Sequence, residues 1–127
     1  MDKNQVAKVV VTHLMEKDHF SKWPEIEVLN IKEGYSKIKM IIRKEMLNGF
    51  GIVNGGITFS LADNAFAFIC NNRNNLSLAL DTSINFIKPA HVGDVLTTET
   101  KEIHNGKSTG LYQISYNLSK RLFDCVF

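Results

Sequence analysis

Positions 57–70 form an unbroken, mostly apolar run with a single carboxylate, Asp63, at its centre. The run does not alternate strictly, and Ala62, Ala65 and Ala67 favour a helix over a strand. A helix that is apolar on nearly every side must be covered on most of them. The whole chain has 127 residues, enough for one core and little else. The economical cover is a curved antiparallel sheet wrapped around the helix. One sheet layer leaves part of that helix bare, so the chain is expected to dimerise.

The remaining pattern supplies the sheet. Residues 2–15 read as an amphipathic helix capped by Asp2, with Val6, Val9, Val10 and Leu14 on one stripe. Polar and apolar residues alternate over 25–28 and again around Ile38, Met40 and Ile42, with Gly34 marking the turn between them. Loop signals crowd positions 44–56, notably Asn48-Gly49, Gly51 and Asn54-Gly55-Gly56. An asparagine-rich cluster over 71–75 stops the central helix. Leu76, Leu78, Leu80, Ile84 and Phe86 alternate as a strand would. Residues 95–104 pair naturally with 108–118 through Asn105-Gly106, and 122–127 read as a short last strand. The expected architecture is α+β: one domain over 1–127, a long central helix, and a curved antiparallel sheet of about five to six strands.

Charge and composition exclude several functions. Fifteen Lys and Arg stand against thirteen Asp and Glu, a formal net charge of +2 with the signs mixed along the chain. A nucleic-acid surface needs a concentrated basic face, so none is expected. No stretch approaches the roughly 20 apolar residues that span a bilayer. The first five residues lack the apolar run of a signal peptide, which suits a cytoplasmic protein. Cys70 and Cys125 form no CxxC pair and read as reduced thiols. His13, His19, His91 and His104 lack metal-ligand spacing, so no metal is expected.

Asp63 is the residue that does not belong. Burying a carboxylate is expensive without a partner, and its helical neighbours Phe59, Ser60, Phe66, Ala67 and Cys70 include no cation. Either it faces solvent or bonds Ser60, or it is a base held in a partly dry pocket. Upstream, Asn54-Gly55-Gly56 puts unhindered backbone N–H groups at the helix start. There the dipole favours a developing oxyanion, although two glycines also simply let a loop enter a helix. Gly55 and Asp63 are eight residues apart, ~12 Å at ~1.5 Å rise per residue. Within one chain they cannot serve one carbonyl. If they cooperate, Gly55 of one subunit faces Asp63 of another.

The runs Met46-Leu47-Asn48-Gly49-Phe50-Gly51-Ile52-Val53-Asn54-Gly55-Gly56, Leu61-Ala62-Asp63-Asn64-Ala65-Phe66-Ala67 and Cys70-Asn71 resemble the hotdog-fold acyl-CoA thioesterases of the phenylacetic-acid-degradation (PaaI) type. Met15-Glu16-Lys17-Asp18, Asn85-Phe86-Ile87-Lys88-Pro89-Ala90, Gly93-Asp94 and Gly106-Lys107 extend the likeness over almost the whole chain. The resemblance implies a hotdog fold and hydrolysis of small aryl- or short- to medium-chain acyl-CoA thioesters without a cofactor. It implies that Asp63 activates water or attacks the thioester carbonyl. Gly55 then gives the backbone donor to the thioester oxygen, and Asn48 helps place nucleophile and substrate. The implied assembly is a homodimer with composite sites, extending to a homotetramer.

Asn54, Gly56, Phe66 and Lys88 complete the candidate substrate-binding set. Lys88, like Arg73 and Lys107, offers a cation for coenzyme A phosphates, and Phe59, Phe66 and Phe68 are candidate acyl-pocket linings. Asn54 stands where the family usually has histidine; asparagine still donates a hydrogen bond but cannot act as a base. Family members usually continue past the equivalent of Phe127, so a short last strand is expected. The alternatives are a non-catalytic acyl-CoA binder and a hotdog hydratase or dehydratase. The latter needs a histidine paired with a carboxylate, and none lies between His19 and His91.

Overall fold

The structure is a computed structural model that describes residues 1–71, 73, 76–85 and 88–119. It opens with α1 (Lys3–Lys17), whose start is closed by a reciprocal cap. Asp2 Oδ1 accepts from the Gln5 N–H at 2.8 Å, and Gln5 Oε1 accepts from the Asp2 N–H at 2.8 Å. The buried line of α1 is Ala7 and Val11, with Leu14 and Met15 packed beside them. This corrects the stripe expected from the sequence, since Val9 is 54% exposed. The face that packs on the core is centred on Ala7 and Val11 and turned away from Val9. The short α2 (His19–Lys22) follows, its first N–H groups capped by Asp18.

β1 (Glu27–Lys32) and β2 (Tyr35–Ile41) form a hairpin that turns at Gly34, where φ is +73°. β3 (Val95–Asn105) and β4 (Gly110–Ser119) form a second one. The four strands lie in the order β1-β2-β3-β4, antiparallel throughout, so β2 and β3 are neighbours although α3 (Gly55–Asn71) comes between them in the chain. In register, Ile38 faces Thr98 and Thr98 faces Tyr116, while Ser36 faces Thr100. Ser36, Ile38 and Met40 of β2 and Leu96, Thr98 and Thr100 of β3 are buried; alternation supplies this inner face.

α3 lies on that face. Leu61, Ala65 and Phe68 join Ala7, Val11, Ile38 and Met40 in one core, and Phe68 is the largest fully buried side chain. Two hydrogen bonds fasten the helix to the sheet: Ser36 Oγ donates to the Ala65 carbonyl at 3.3 Å, and the Tyr116 hydroxyl donates to the Thr58 carbonyl at 3.2 Å.

The central helix on an antiparallel sheet is the expected architecture, with four strands among the described residues rather than five or six. Residues 76–85 are not in a strand, and Leu76, Leu78 and Leu80 are 83–90% exposed. Alternation makes a sequence competent for a sheet, but a strand also needs a neighbouring strand to pair with; among the described residues none pairs with 76–85, and Ser77 bonds the Asn71 side chain instead, its N–H donating to Oδ1 at 2.7 Å. Phe86, Cys125 and the strand expected over 122–127 lie outside the described residues.

The hydroxyls of Thr98 and Thr100 are fully buried and lack a hydrogen-bond partner among the described residues. An unpaired buried hydroxyl costs about 1–3 kcal/mol. Thr98→Val keeps shape and strand preference while removing that cost. It is expected to raise stability by about 1 kcal/mol in urea unfolding; an equal destabilisation would mean that the hydroxyl is satisfied.

Candidate functional site

The segment leading into α3 is pinned at both ends. The Val53 N–H donates to the Ala90 carbonyl and the Asn54 N–H to the Met46 carbonyl, each at 2.8 Å. Asn48 closes the loop on itself: its N–H donates to the Ile52 carbonyl at 2.8 Å, and its Oδ1 accepts from the Phe50 N–H at 2.9 Å. The side-chain oxygen of Asn48 is therefore committed to the loop that delivers Asn54 to the helix.

Asn54 caps α3. Its Oδ1 accepts from the Gly56 N–H at 2.8 Å, while its carbonyl accepts from the Ile57 N–H at 2.9 Å. The two glycines consequently differ. The Gly56 N–H is taken by Asn54, which corrects the expectation that both glycines present open donors. The Gly55 N–H has no partner among the described residues and sits at the positive end of the helix. A Cβ on Gly56 would stand 3.1 Å from Asn54 Oδ1, so the cap itself needs little bulk there.

Asp63 is exposed and makes no hydrogen bond or ion pair among the described residues. Ser60 is not its partner, because Ser60 Oγ donates to the Gly56 carbonyl at 2.7 Å. Among the described residues Asp63 and Phe59 are exposed and Phe66 and Ala67 half-buried along one stripe of α3, whereas Leu61, Ala62, Ala65, Phe68 and Ile69 are buried. Phe66 packs edge-on against Tyr112, with ring centroids 5.5 Å apart. Burial, and then the Glu102 carboxylate, push the Tyr112 phenol above its ordinary value. Phe68 is core, not pocket lining.

Asn64, next to Asp63, is a residue whose part the sequence reading did not assign. Its Nδ2 donates to the Ser60 carbonyl at 3.0 Å, and its Oδ1 accepts from Ser21 Oγ at 2.9 Å, tying α3 to α2. A polar side chain inside an apolar helix was the available signal.

The cations separate clearly. Lys88 is exposed and unpaired among the described residues, two positions from Ala90, whose carbonyl is bonded to the segment entering α3. Arg73 is committed elsewhere: Nε meets Glu33 Oε1 at 2.8 Å, and the guanidinium grips both Glu102 oxygens. Those carboxylates raise its already high pKa, and the candidate phosphate role is withdrawn. Lys107 stands in the β3–β4 loop. Among the described residues no cluster of His, Cys, Asp and Glu is grouped to hold a metal, and no helix is long and apolar enough to cross a membrane.

Comparison with known proteins places this geometry. Residues 50–115 match the thioesterase superfamily. The chain is 38% identical over 110 residues to a putative esterase of Archaeoglobus fulgidus, covering 87% of this chain and 71% of that protein. It is 38% identical over 101 residues to the acyl-coenzyme A thioesterase PaaI of Escherichia coli, covering 80% and 72%. The solved structure of the E. coli PaaI protein superposes with a TM-score of 0.90 at 33% identity, over 92% of this chain and 85% of that one.

Cys70 is buried one turn beyond Phe66, and burial pushes its thiol from 9.0 up to about 11, with the Asp63 charge adding to the shift. At pH 8 its thiolate is therefore about 10²-fold scarcer than that of an ordinary cysteine. In a Cys125→Ser background, iodoacetamide labelling is expected to be slow at pH 8 and to speed up about tenfold per pH unit toward pH 11. Fast labelling at pH 8 would contradict the burial of Cys70.

Proposed function

Because this chain belongs to the thioesterase superfamily and has the PaaI-type hotdog fold of a thioester hydrolase, we propose that it cleaves small aryl- or short- to medium-chain acyl-CoA thioesters in sites shared between two copies of itself. The observation that carries the reading is a pair of groups on one helix without a partner among the described residues: the Gly55 N–H at its start and the Asp63 carboxylate two turns on. Eight residues of helix hold them ~12 Å apart, too far to act on one carbonyl. An antiparallel second α3 brings the start of one helix opposite the middle of the other.

In that arrangement the thioester oxygen meets the Gly55 N–H of one subunit and the carbonyl carbon meets Asp63 of the other. Asp63 takes a proton from water as the water oxygen bonds to the carbonyl carbon, and the Gly55 donor stabilises the resulting oxyanion. Collapse breaks the C–S bond, and the proton on Asp63 passes to the departing thiolate. Alternatively Asp63 attacks directly, the C–S bond breaks to expel the coenzyme A thiolate, and the resulting acyl anhydride is opened by water, which releases the acid, restores the Asp63 carboxylate and supplies the proton that the thiolate takes up. Asn48 holds the loop, Asn54 and Gly56 shape the helix start, Phe66 faces the acyl group, and Lys88 suits the coenzyme A phosphates. The exposed leucines at 76, 78 and 80 are an apolar edge that a second copy would cover. A homodimer is the smallest working unit, and pairing of dimers into a homotetramer belongs to the same reading.

Thiol release from a panel of aryl-, short- and medium-chain acyl-CoAs tests the activity. Asp63→Asn is expected to lower turnover by about 10² or more. Binding without turnover by the unmodified chain would favour a binder instead. For the shared site, Asp63→Asn chains mixed with inactive Gly55→Pro chains, which lack the N–H, are expected to regain activity through mixed dimers. No recovery after verified subunit exchange counts against a composite site.

A further inference from the structure

We propose that Tyr112 determines which acyl groups this site accepts: its ring backs Phe66 and limits how far an acyl group can extend along α3. The proposal rests on the thioesterase reading above, in which Phe66 faces the acyl group, and adds the residue that sets that group's size.

Strand β4 runs beside α3 and touches it at two tyrosines. The Tyr116 hydroxyl donates to the Thr58 carbonyl, and the Tyr112 ring meets the Phe66 ring edge-on, with centroids 5.5 Å apart and the planes at 80°. The spacings agree. Four residues of strand from Tyr112 to Tyr116 span ~13 Å, and eight residues of helix from Thr58 to Phe66 span ~12 Å. Asp63 lies in the stretch between these two contacts. Phe66 is three residues beyond it, ~4.5 Å along the axis and on the same side of the helix. An acyl group that has its carbonyl carbon at Asp63 and extends toward the end of α3 therefore crosses Phe66 and then reaches Tyr112. Both rings are half-buried, so each keeps a face for a ligand while packing against the other.

Tyr112 is braced from three directions. Its ring lies back over Gly110, where a Cβ would stand 3.0 Å from both Cε2 and the hydroxyl oxygen. The glycine leaves the space that the ring uses. Glu102 is its cross-strand partner on β3, on the same inner face, and the Glu102 carboxylate bears on the phenol. Glu102 is itself held by Arg73, whose Nη2 donates to Oε2 at 2.8 Å, two residues beyond the end of α3. The ring is thus fixed by its own strand, by the neighbouring strand and by the residue that follows the helix. A wall held in this way does not yield to a longer chain, and that is what discrimination by size requires.

The test is the ratio of kcat/KM for the longest to that for the shortest of a series of straight-chain acyl-CoAs. Tyr112→Ala and Tyr112→Val open the wall and are expected to raise the ratio about tenfold, since each added methylene that finds room in an apolar pocket is worth roughly that much or more. Valine also suits a strand, which guards the fold if alanine does not. Tyr112→Trp extends the wall and is expected to lower the ratio, whereas Tyr112→Phe keeps the ring and stays close to the native ratio. A tyrosine that only packs the fold gives lower melting temperatures and the native ratio throughout. An unchanged ratio in the valine and tryptophan variants overturns the assignment and leaves the thioesterase reading standing. Absence of turnover by the native chain on the whole acyl-CoA panel overturns that reading, and this assignment with it.

Discussion

The molecule turns on how α3 is held against the sheet. Ser36 and Tyr116 each donate to a carbonyl of the helix, Ala65 and Thr58, seven residues apart on nearly the same face. Those carbonyls use their second lone pairs, so the helix keeps its own ladder while its height and rotation are set from outside. Ser21 adds a third fastening through Asn64. With those faces occupied, the stripe of Phe59, Asp63 and Phe66 is the one that remains outward. Among the described residues Asp63 has no partner of its own to place it; it is placed by what its helical neighbours hold.

Much of this fold is legible in the sequence because it depends on local periodicity. The α1 cap at Asp2, the turn at Gly34, the long α3 and the hairpin across Asn105-Gly106 each follow from residues within a few positions of one another. What the sequence does not carry is long-range choice. Alternation at 76–86 marks a segment fit for a sheet, but whether it pairs depends on a neighbouring edge. Val6, Val9, Val10 and Leu14 of α1 look like its core line, yet the buried pair is Ala7 and Val11, because the face that docks depends on the elements it meets and not on hydrophobicity within the helix alone.

The candidate site divides the same way. Asp63 stands out as a carboxylate in an apolar run, and the glycines stand out as a helix entrance. The inequality of those glycines was not readable, since it depends on which N–H the Asn54 oxygen reaches. Arg73 looked like a free cation until Glu33 and Glu102, forty and twenty-nine positions away, closed on it. Partners that distant leave no trace in spacing. The family resemblance supplied the functional class that residues alone left open between solvent-facing acid and working base.

The strand order has a consequence for how the chain reaches this state. The two hairpins close from nearby residues, but the seam between β2 and β3 brings together segments with all of α3 between them. Loop closure of that length is slow and unrewarded until it is complete. Until the seam forms, α3 has no full sheet to lie on, and its leucine and phenylalanine surface stays open to other chains. Species of that kind are the ones that aggregate. During synthesis the helix that later carries the candidate chemistry is thus the segment most in need of shielding, and a chaperone that recognises short apolar helices would find its target there.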